Sequence, residues 1–293
     1  MGIHSAGGRR TSADPDLLAG PWWHARHRGE RRQRLLDGWD ALEGAVADVL
    51  AVALPVECVC CGKEDQALCS GCERKLRMLT RHPFRAETGA PALVDTDGSV
   101  ILPVVAAGIY REELSQSILA FKRHGQGQLR RVLSKILTGA LAAACAGTDG
   151  VVLVPVPTSG SAYRKRGFSP VHLLLARPAR SLGGPGTAFP HGPECMDVLR
   201  KVRSPGASAG VPGGQKGLGR GDRSRRVRGS MRGARDFRGR SLRGRQCIIV
   251  DDVLTTGATL AEAARAIHEV GGVVRGAVVL AATRPPDAAM PPD

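Results

Sequence analysis

Apolar positions along the chain alternate between two periods. Leu35, Leu36, Trp39, Leu42, Val46, Val49 and Leu50 recur at helical spacing and predict an amphipathic helix over residues 31–54, stopped at Leu54-Pro55. A short helix is predicted from Cys72 to Leu79, then a strand over 103–110. Helices follow over 112–123 (Leu114, Ile118, Leu119 and Phe121 apolar) and over 129–145. Residues 151–157 form a continuous apolar run of the kind buried in parallel sheets. Ser169-Pro170 supplies an N-cap and first-turn pair for a helix over 171–177, which Pro178 should stop. Cys247 to Val250 reads as a buried strand. Leu260, Ala263, Ala264, Ile267 and Val270 mark one helical face, closed by Gly271-Gly272, and 273–282 is a last strand. Strands alternating with helices predict an α/β domain over 101–285, with a largely parallel sheet flanked by helices.

Between these elements the pattern lapses. Residues 1–30 read as a disordered basic tail, 81–100 as a linker, 204–245 as a mobile Gly/Arg-rich loop, and 286–293 as a tail. Charge sharpens this division. Net charge is +15, but Arg200 to Arg245 alone hold 15 Lys/Arg against only Asp222 and Asp236. The first 36 residues hold seven Arg against three acids, so the rest of the chain is near neutral. Two basic segments on an otherwise ordinary domain point to polyanions, either nucleic acid or phosphorylated small molecules. Aromatic residues are 3% of the chain, too few for a surface built on stacked bases. The longest apolar stretch, 45–56, is broken by Asp48 and Pro55, and residues 1–34 lack the apolar core of a secretion signal. A cytoplasmic protein without membrane insertion is expected.

Five of the eight cysteines crowd together. Cys58-Val-Cys-Cys61 and Cys69-Ser-Gly-Cys72 are two C-x-x-C units, a spacing that brings four thiolates to one tetrahedral Zn²⁺. The gap between the units is short, so a compact knuckle over 55–80 is predicted, with Cys60 as the spare thiol. Thiol–disulfide chemistry is the rival reading. Doubled units with Gly62 after the first favour a closed structural metal site.

The most informative segment is Cys247-Ile-Ile-Val-Asp-Asp-Val-Leu-Thr-Thr-Gly-Ala-Thr-Leu260. An apolar strand runs into Asp251 and Asp252, and a Thr/Gly loop then opens a helix. Such a loop points backbone N–H groups and a helix N-terminus at an anion. Thr255, Thr256 and Thr259 add hydroxyl donors, while Gly257 with Ala258 keeps the backbone accessible. Two carboxylates beside this cradle would repel a bare phosphate, but suit the vicinal hydroxyls of an attached sugar or a bound Mg²⁺. Upstream, the strand ending at Pro157 leads into Thr158, Ser159 and Gly160, then Arg164, Lys165 and Arg166. A small-residue turn followed by three cations fits a second anion. Taken singly, these segments also read as a solvated acidic turn and a basic surface loop.

The Asp251–Thr259 segment resembles the 5-phosphoribosyl-1-pyrophosphate (PRPP) motif of type I phosphoribosyltransferases. That resemblance implies an acid pair holding ribose hydroxyls and a Thr/Gly loop holding the 5′-phosphate. It also implies that the Thr158–Arg166 segment grips pyrophosphate with Mg²⁺. The order of knuckle, linker and PRPP motif is similar to that of the ComF family of competence proteins. Ala107 to Tyr110 with Ile118 to Lys122, Val154 to Phe168, and Gln215 to Leu218 with Arg223 match that family's segments. The likeness spans about Pro55 to Arg284. Ser169-Pro170 replaces the family's Asn-Gln, Arg226 stands where it has Asn, and the loop before Gln215 is enlarged. The resemblance implies either phosphoribosyl transfer to a nitrogen acceptor or an accessory role in DNA uptake. In the latter case single-stranded DNA or a helicase would be the partner. The fold it implies is a type I phosphoribosyltransferase-like sheet with a small N-terminal Cys₄ zinc knuckle.

Overall fold

Strands β7 (Gln246–Leu254) and β8 (Val273–Ala282) pair in parallel at the centre of a six-stranded sheet. The computed structural model describes residues 57–146, 148, 150–176, 194–202, 228–235 and 239–283. The helix expected over 31–54 and both tails lie outside the described residues, as does most of 204–245. Strand order is β1 (Phe84–Arg85), β2 (Val104–Ile109), β8, β7, β3 (Val152–Pro155) and β4 (Glu194–Cys195). β1 runs antiparallel to β2, and every other pairing is parallel. The mixed α/β class with a largely parallel, helix-flanked sheet is as the alternation predicts.

Helices cover both faces, as a parallel sheet requires. On one side lie α2 (Glu112–His124), α3 (Gly127–Ala144) and the short α5 (Pro170–Leu175). Their Leu114, Ile118, Phe121, Leu133, Leu137 and Leu174 form one core with Leu153, Ile248 and Val250. α2 carries Glu112 and Glu113 in its first turn and Lys122, Arg123 and His124 in its last, matching the helix dipole. Gly125 ends it in the left-handed conformation (φ +66°). The cysteine-rich segment joins this core through Leu68 and through Leu76 of α1 (Ser70–Leu79). Gln128 clamps it, accepting from Leu68 N at 3.2 Å and donating to Leu68 O at 2.6 Å.

The second face buries Leu260, Ala263 and Ile267 of α6 (Ala258–Glu269) with Met196, Val198, Leu199 and Met231. Here three expectations give way. Residues 81–100 are no free linker. β1 pairs with the sheet, two single-turn 3₁₀ helices follow at Glu87–Gly89 and Pro91–Leu93, and Ala90 and Leu93 are fully buried. Glu87 ties the segment down, accepting from Val104 N at 3.0 Å. Its few apolar residues follow no period, so only the tertiary fold fixes them.

The Gly/Arg-rich stretch is likewise packed at its C-terminal end. β6 (Met231–Gly233) pairs antiparallel with β5 (Leu199–Lys201) to form a small hood over α6. Glu262 accepts from Met231 N at 2.9 Å and Arg265 donates to Met231 O at 2.8 Å. One buried methionine and two polar bonds from α6 hold a strand that its own composition does not announce.

The third difference lies after β3. Gly160–Arg166, expected as a loop, is a helix of about two turns (α4), capped by Ser159 Oγ accepting from Ala162 N at 3.3 Å.

Candidate functional site

The carboxyl ends of the neighbouring parallel strands β3 and β7 carry the two loops singled out from sequence. Pro155 pairs with Val250, so Thr158–Gly160 and Asp251–Gly257 emerge side by side. Ligand sites in open α/β sheets form in this position.

Strand alternation decides what each acid meets. Ile248 and Val250 belong to the core under α2 and α3, Cys247 and Ile249 to the core under α6. Asp252 continues the first face, where Lys122 of α2 pairs with it at 2.9 Å. Asp251 continues the second and lies in the field of Lys201 from the hood. Burial, and then the charge of Asp252, push the Asp251 carboxyl up to about 7. The Asp252 N–H donated to it at 2.9 Å, together with Lys122 and Lys201, pulls only partly the other way. One acid is therefore paired with a lysine, and burial with its neighbour's charge raises the carboxyl of the other.

Below the acids, Leu254 leads into Thr255, Thr256 and Gly257, the N-cap of α6. Gly257 is left-handed (φ +79°), and a Cβ there would lie 2.4 Å from Leu93 Cγ. Ala92 N donates to Thr256 O at 3.0 Å, so the segment expected as a linker is the floor of this loop. Gly257→Ala is expected to lower unfolding free energy by about 2–4 kcal/mol, from backbone strain and overpacking together. Denaturant unfolding checks this, and an unchanged midpoint would show that the loop moves independently of Leu93.

Across the strand ends, Thr158 bonds Ser169 Oγ at 2.9 Å. Ser169 occupies the N-cap position of α5, yet its hydroxyl makes no capping bond and meets His172 Nδ1 at 2.8 Å. His172 Nε2 faces Asp197 at 3.4 Å, and Arg200 pairs with the same carboxylate at 3.0 Å. Burial alone would raise Asp197, but His172 and Arg200 outweigh it and hold the carboxyl below its usual range. Arg164 and Lys165 on α4 are exposed, and among the described residues neither they nor Arg166 is ion-paired. Phe168 anchors the end of α4 against Phe121 (ring centroids 6.0 Å apart) and against Gly125, where a side chain would crowd it.

Lys122, Lys201, His172 and Asp197 were assigned no site role by sequence reasoning, and Ser169 only that of an N-cap. Apart from the local Ser169–His172 bond, their contacts mostly join segments distant in the chain, and the one available signal was the basic end of α2.

Remote from these loops, Cys58, Cys61, Cys69 and Cys72 place their sulfurs within 4.8 Å of one another. A tetrahedral Zn²⁺ with bonds of ~2.3 Å needs sulfurs about 3.8 Å apart, so the cluster fits a metal such as zinc with small adjustment. Burial alone would raise Cys58, but N–H groups of Cys69, Cys60 and Cys61 outweigh it and bring the thiol to about 6, toward the thiolate a metal needs. Cys60 turns away, toward Glu113 O and Ser117 Oγ at 3.7 and 3.6 Å, and burial raises its thiol. No helix among the described residues is long and apolar enough to cross a membrane.

Residues 222–293 match the family model described as phosphoribosyl transferase domain. A stretch of 39 residues is 59% identical to an orotate phosphoribosyltransferase of Methanopyrus kandleri; the match covers 13% of this chain and about a fifth (21%) of that relative's length. Among solved structures, an orotate phosphoribosyltransferase of Mycobacterium tuberculosis H37Rv in complex with Fe(III) dicitrate superposes at TM-score 0.30 with 16% identity. That superposition covers 72% of this chain and 84% of the other, a likeness too distant to transfer any residue's role. Over residues 222–293, which include the acid pair, the Thr/Gly loop and α6, this chain is similar to phosphoribosyltransferases.

Proposed function

We propose that the chain is a ComF-like phosphoribosyltransferase-fold protein that binds PRPP with Mg²⁺ at the ends of β3 and β7. The observation that carries this reading is the adjacency of two anion-suited loops on neighbouring parallel strands, with an acid pair between them. Asp251 and Asp252 accept from the ribose hydroxyls. Thr255–Thr259 and the N-terminus of α6 hold the 5′-phosphate, and Thr158–Gly160 with Arg164–Arg166 hold the pyrophosphate. The carboxylate oxygens suit a hard cation, and Mg²⁺ bound with the ligand supplies charge for the pyrophosphate. The reaction this arrangement suits is displacement of pyrophosphate at the anomeric carbon by a nitrogen acceptor. Positioning and fixed charge would supply the rate.

Titration calorimetry with PRPP tests the reading. One molecule is expected to bind per chain, at least about tenfold tighter with Mg²⁺ than without. Absence of PRPP binding with Mg²⁺ present would overturn it. The excess of Lys/Arg in residues 200–245 supports a second reading, an accessory factor handling single-stranded DNA. That role requires DNA affinity falling steeply with salt, whereas PRPP binding should follow Mg²⁺.

A further inference from the structure

The file of side chains Thr158, Ser169, His172, Asp197 has a direction, and the direction reverses with one proton. We propose that His172 is a positioning residue whose protonation turns Thr158 into a hydrogen-bond donor for the bound pyrophosphate, so that this anion binds together with a proton. The proposal rests on the reading of the β3 loop as the pyrophosphate site.

When the imidazole is neutral and its Nε2–H faces Asp197, Nδ1 can only accept. Ser169 must then donate to Nδ1, and its oxygen accepts from Thr158 O–H. The Thr158 proton is thereby used inside the protein, and an oxyanion over the loop meets only its lone pairs. When the imidazole is protonated, Nδ1–H donates to Ser169 Oγ, Ser169 O–H donates to Thr158 Oγ1, and Thr158 O–H is released toward the anion. No bond between heavy atoms changes, and one N–H bond forms at Nδ1. One proton moves from solvent to the imidazole, and two hydroxyls rotate.

Two observations favour this use of the file. Ser169 gives its hydroxyl to the chain of bonds although its N-cap position would ordinarily claim it. Asp197 is held ionised, so it accepts from Nε2–H in both states. The charged and polar neighbours of His172 come from the elements packed against α5 and from its first turn. Those neighbours are Asp197 and Arg200 from the hood side, Ser169 at the start of α5, and Arg130 of α3, which donates to Leu173 O at 3.2 Å. Ile248 and Val250 of β7 are buried in one core with Val171, Leu174 and Leu175 of α5.

The test is calorimetric titration of inorganic pyrophosphate into wild type and His172→Asn, in two buffers of different ionisation heat. Asn places its amide where Nδ1 stood, donates at any pH, and does not titrate. Taking the difference between the two proteins cancels the protons that pyrophosphate itself exchanges. Wild type is expected to take up roughly half to one more proton than the variant near pH 7, and to lose about tenfold more affinity between pH 6 and pH 8. In wild type alone, the imidazole carbon resonance of His172 should titrate at higher pH once pyrophosphate is bound, a readout independent of the variant's folding. Equal proton exchange with both proteins binding would overturn the proposal and leave the pyrophosphate site standing. Failure of wild type to bind pyrophosphate at any pH would overturn both.

Discussion

Replacing Asp251 and Asp252 together by Asn is expected to weaken Mg²⁺–PRPP binding beyond detection while making the fold more stable above neutral pH. The binding loss follows from removing two charge-assisted acceptors at about 1.5–3 kcal/mol each, more than a hundredfold in affinity. The stability gain follows from the Asp251 carboxyl, whose folded-state pKa is raised to about 7 by burial and by Asp252. Its protonated form is preferred in the folded chain, so its contribution is intact at acid pH. That contribution is lost as pH rises from about 4 toward 7. A shift of that size would amount to about 4 kcal/mol, and solvent contact at both carboxylates reduces the expected gain to about 2 kcal/mol. Calorimetric titration and urea unfolding at pH 8 read the two effects separately. Unaltered affinity in the double variant would place the ligand elsewhere, and lost stability at pH 8 would mean the acids serve the fold.

Cys69→Ser is expected to release a bound zinc, whereas Cys60→Ser should keep it. The comparison is clean because Cys69 has two roles. Its Sγ is one of the four clustered sulfurs, and it also caps α1 by accepting from Cys72 N at 3.5 Å. A serine oxygen preserves the cap, so what is lost is the metal. Structural zinc contributes directly to folding free energy, so the segment around α1 should open without it. Leu68 and Leu76 share the core of α2 and α3, so overall stability should fall by several kcal/mol with the parallel sheet still formed. Elemental analysis and thermal unfolding of the purified, reduced protein check both variants. A zinc-free wild type would refute the assignment.

What could be read from sequence, and what could not, divides by the range of the forces involved. β2, α2, α3, β3, β7, α6 and β8 were legible because each carries its own periodicity or apolar run. The residues proposed for the ligand were legible because a strand, an acid pair and a Gly-containing turn are adjacent in the chain. Leu93 was not, since nothing local says that a leucine after Pro91 will lie under Gly257. Met231 was hidden among arginines, and its burial depends on Glu262 and Arg265 of α6. Lys122 belongs to a helix whose pattern fixes the buried side, yet its partner Asp252 is decided by where that helix ends. Ser169 had the right position for a cap, and a bond to His172 three residues on took its hydroxyl instead.

β8 lies between β2 and β7, so Val104 finds its partner only when Ala277 arrives. At roughly 5–20 residues per second, a ribosome needs on the order of ten seconds or more to make the intervening segment. Throughout that interval β2 waits with one open edge, bordered on its other side by two residues of β1. Pairings this distant slow folding and leave an unpaired strand edge open to association while the chain is being made. β7 cannot be flanked on both sides before β8 is synthesised. A ligand held at the ends of β3 and β7 would therefore meet its site within a complete sheet only after β8 is in place.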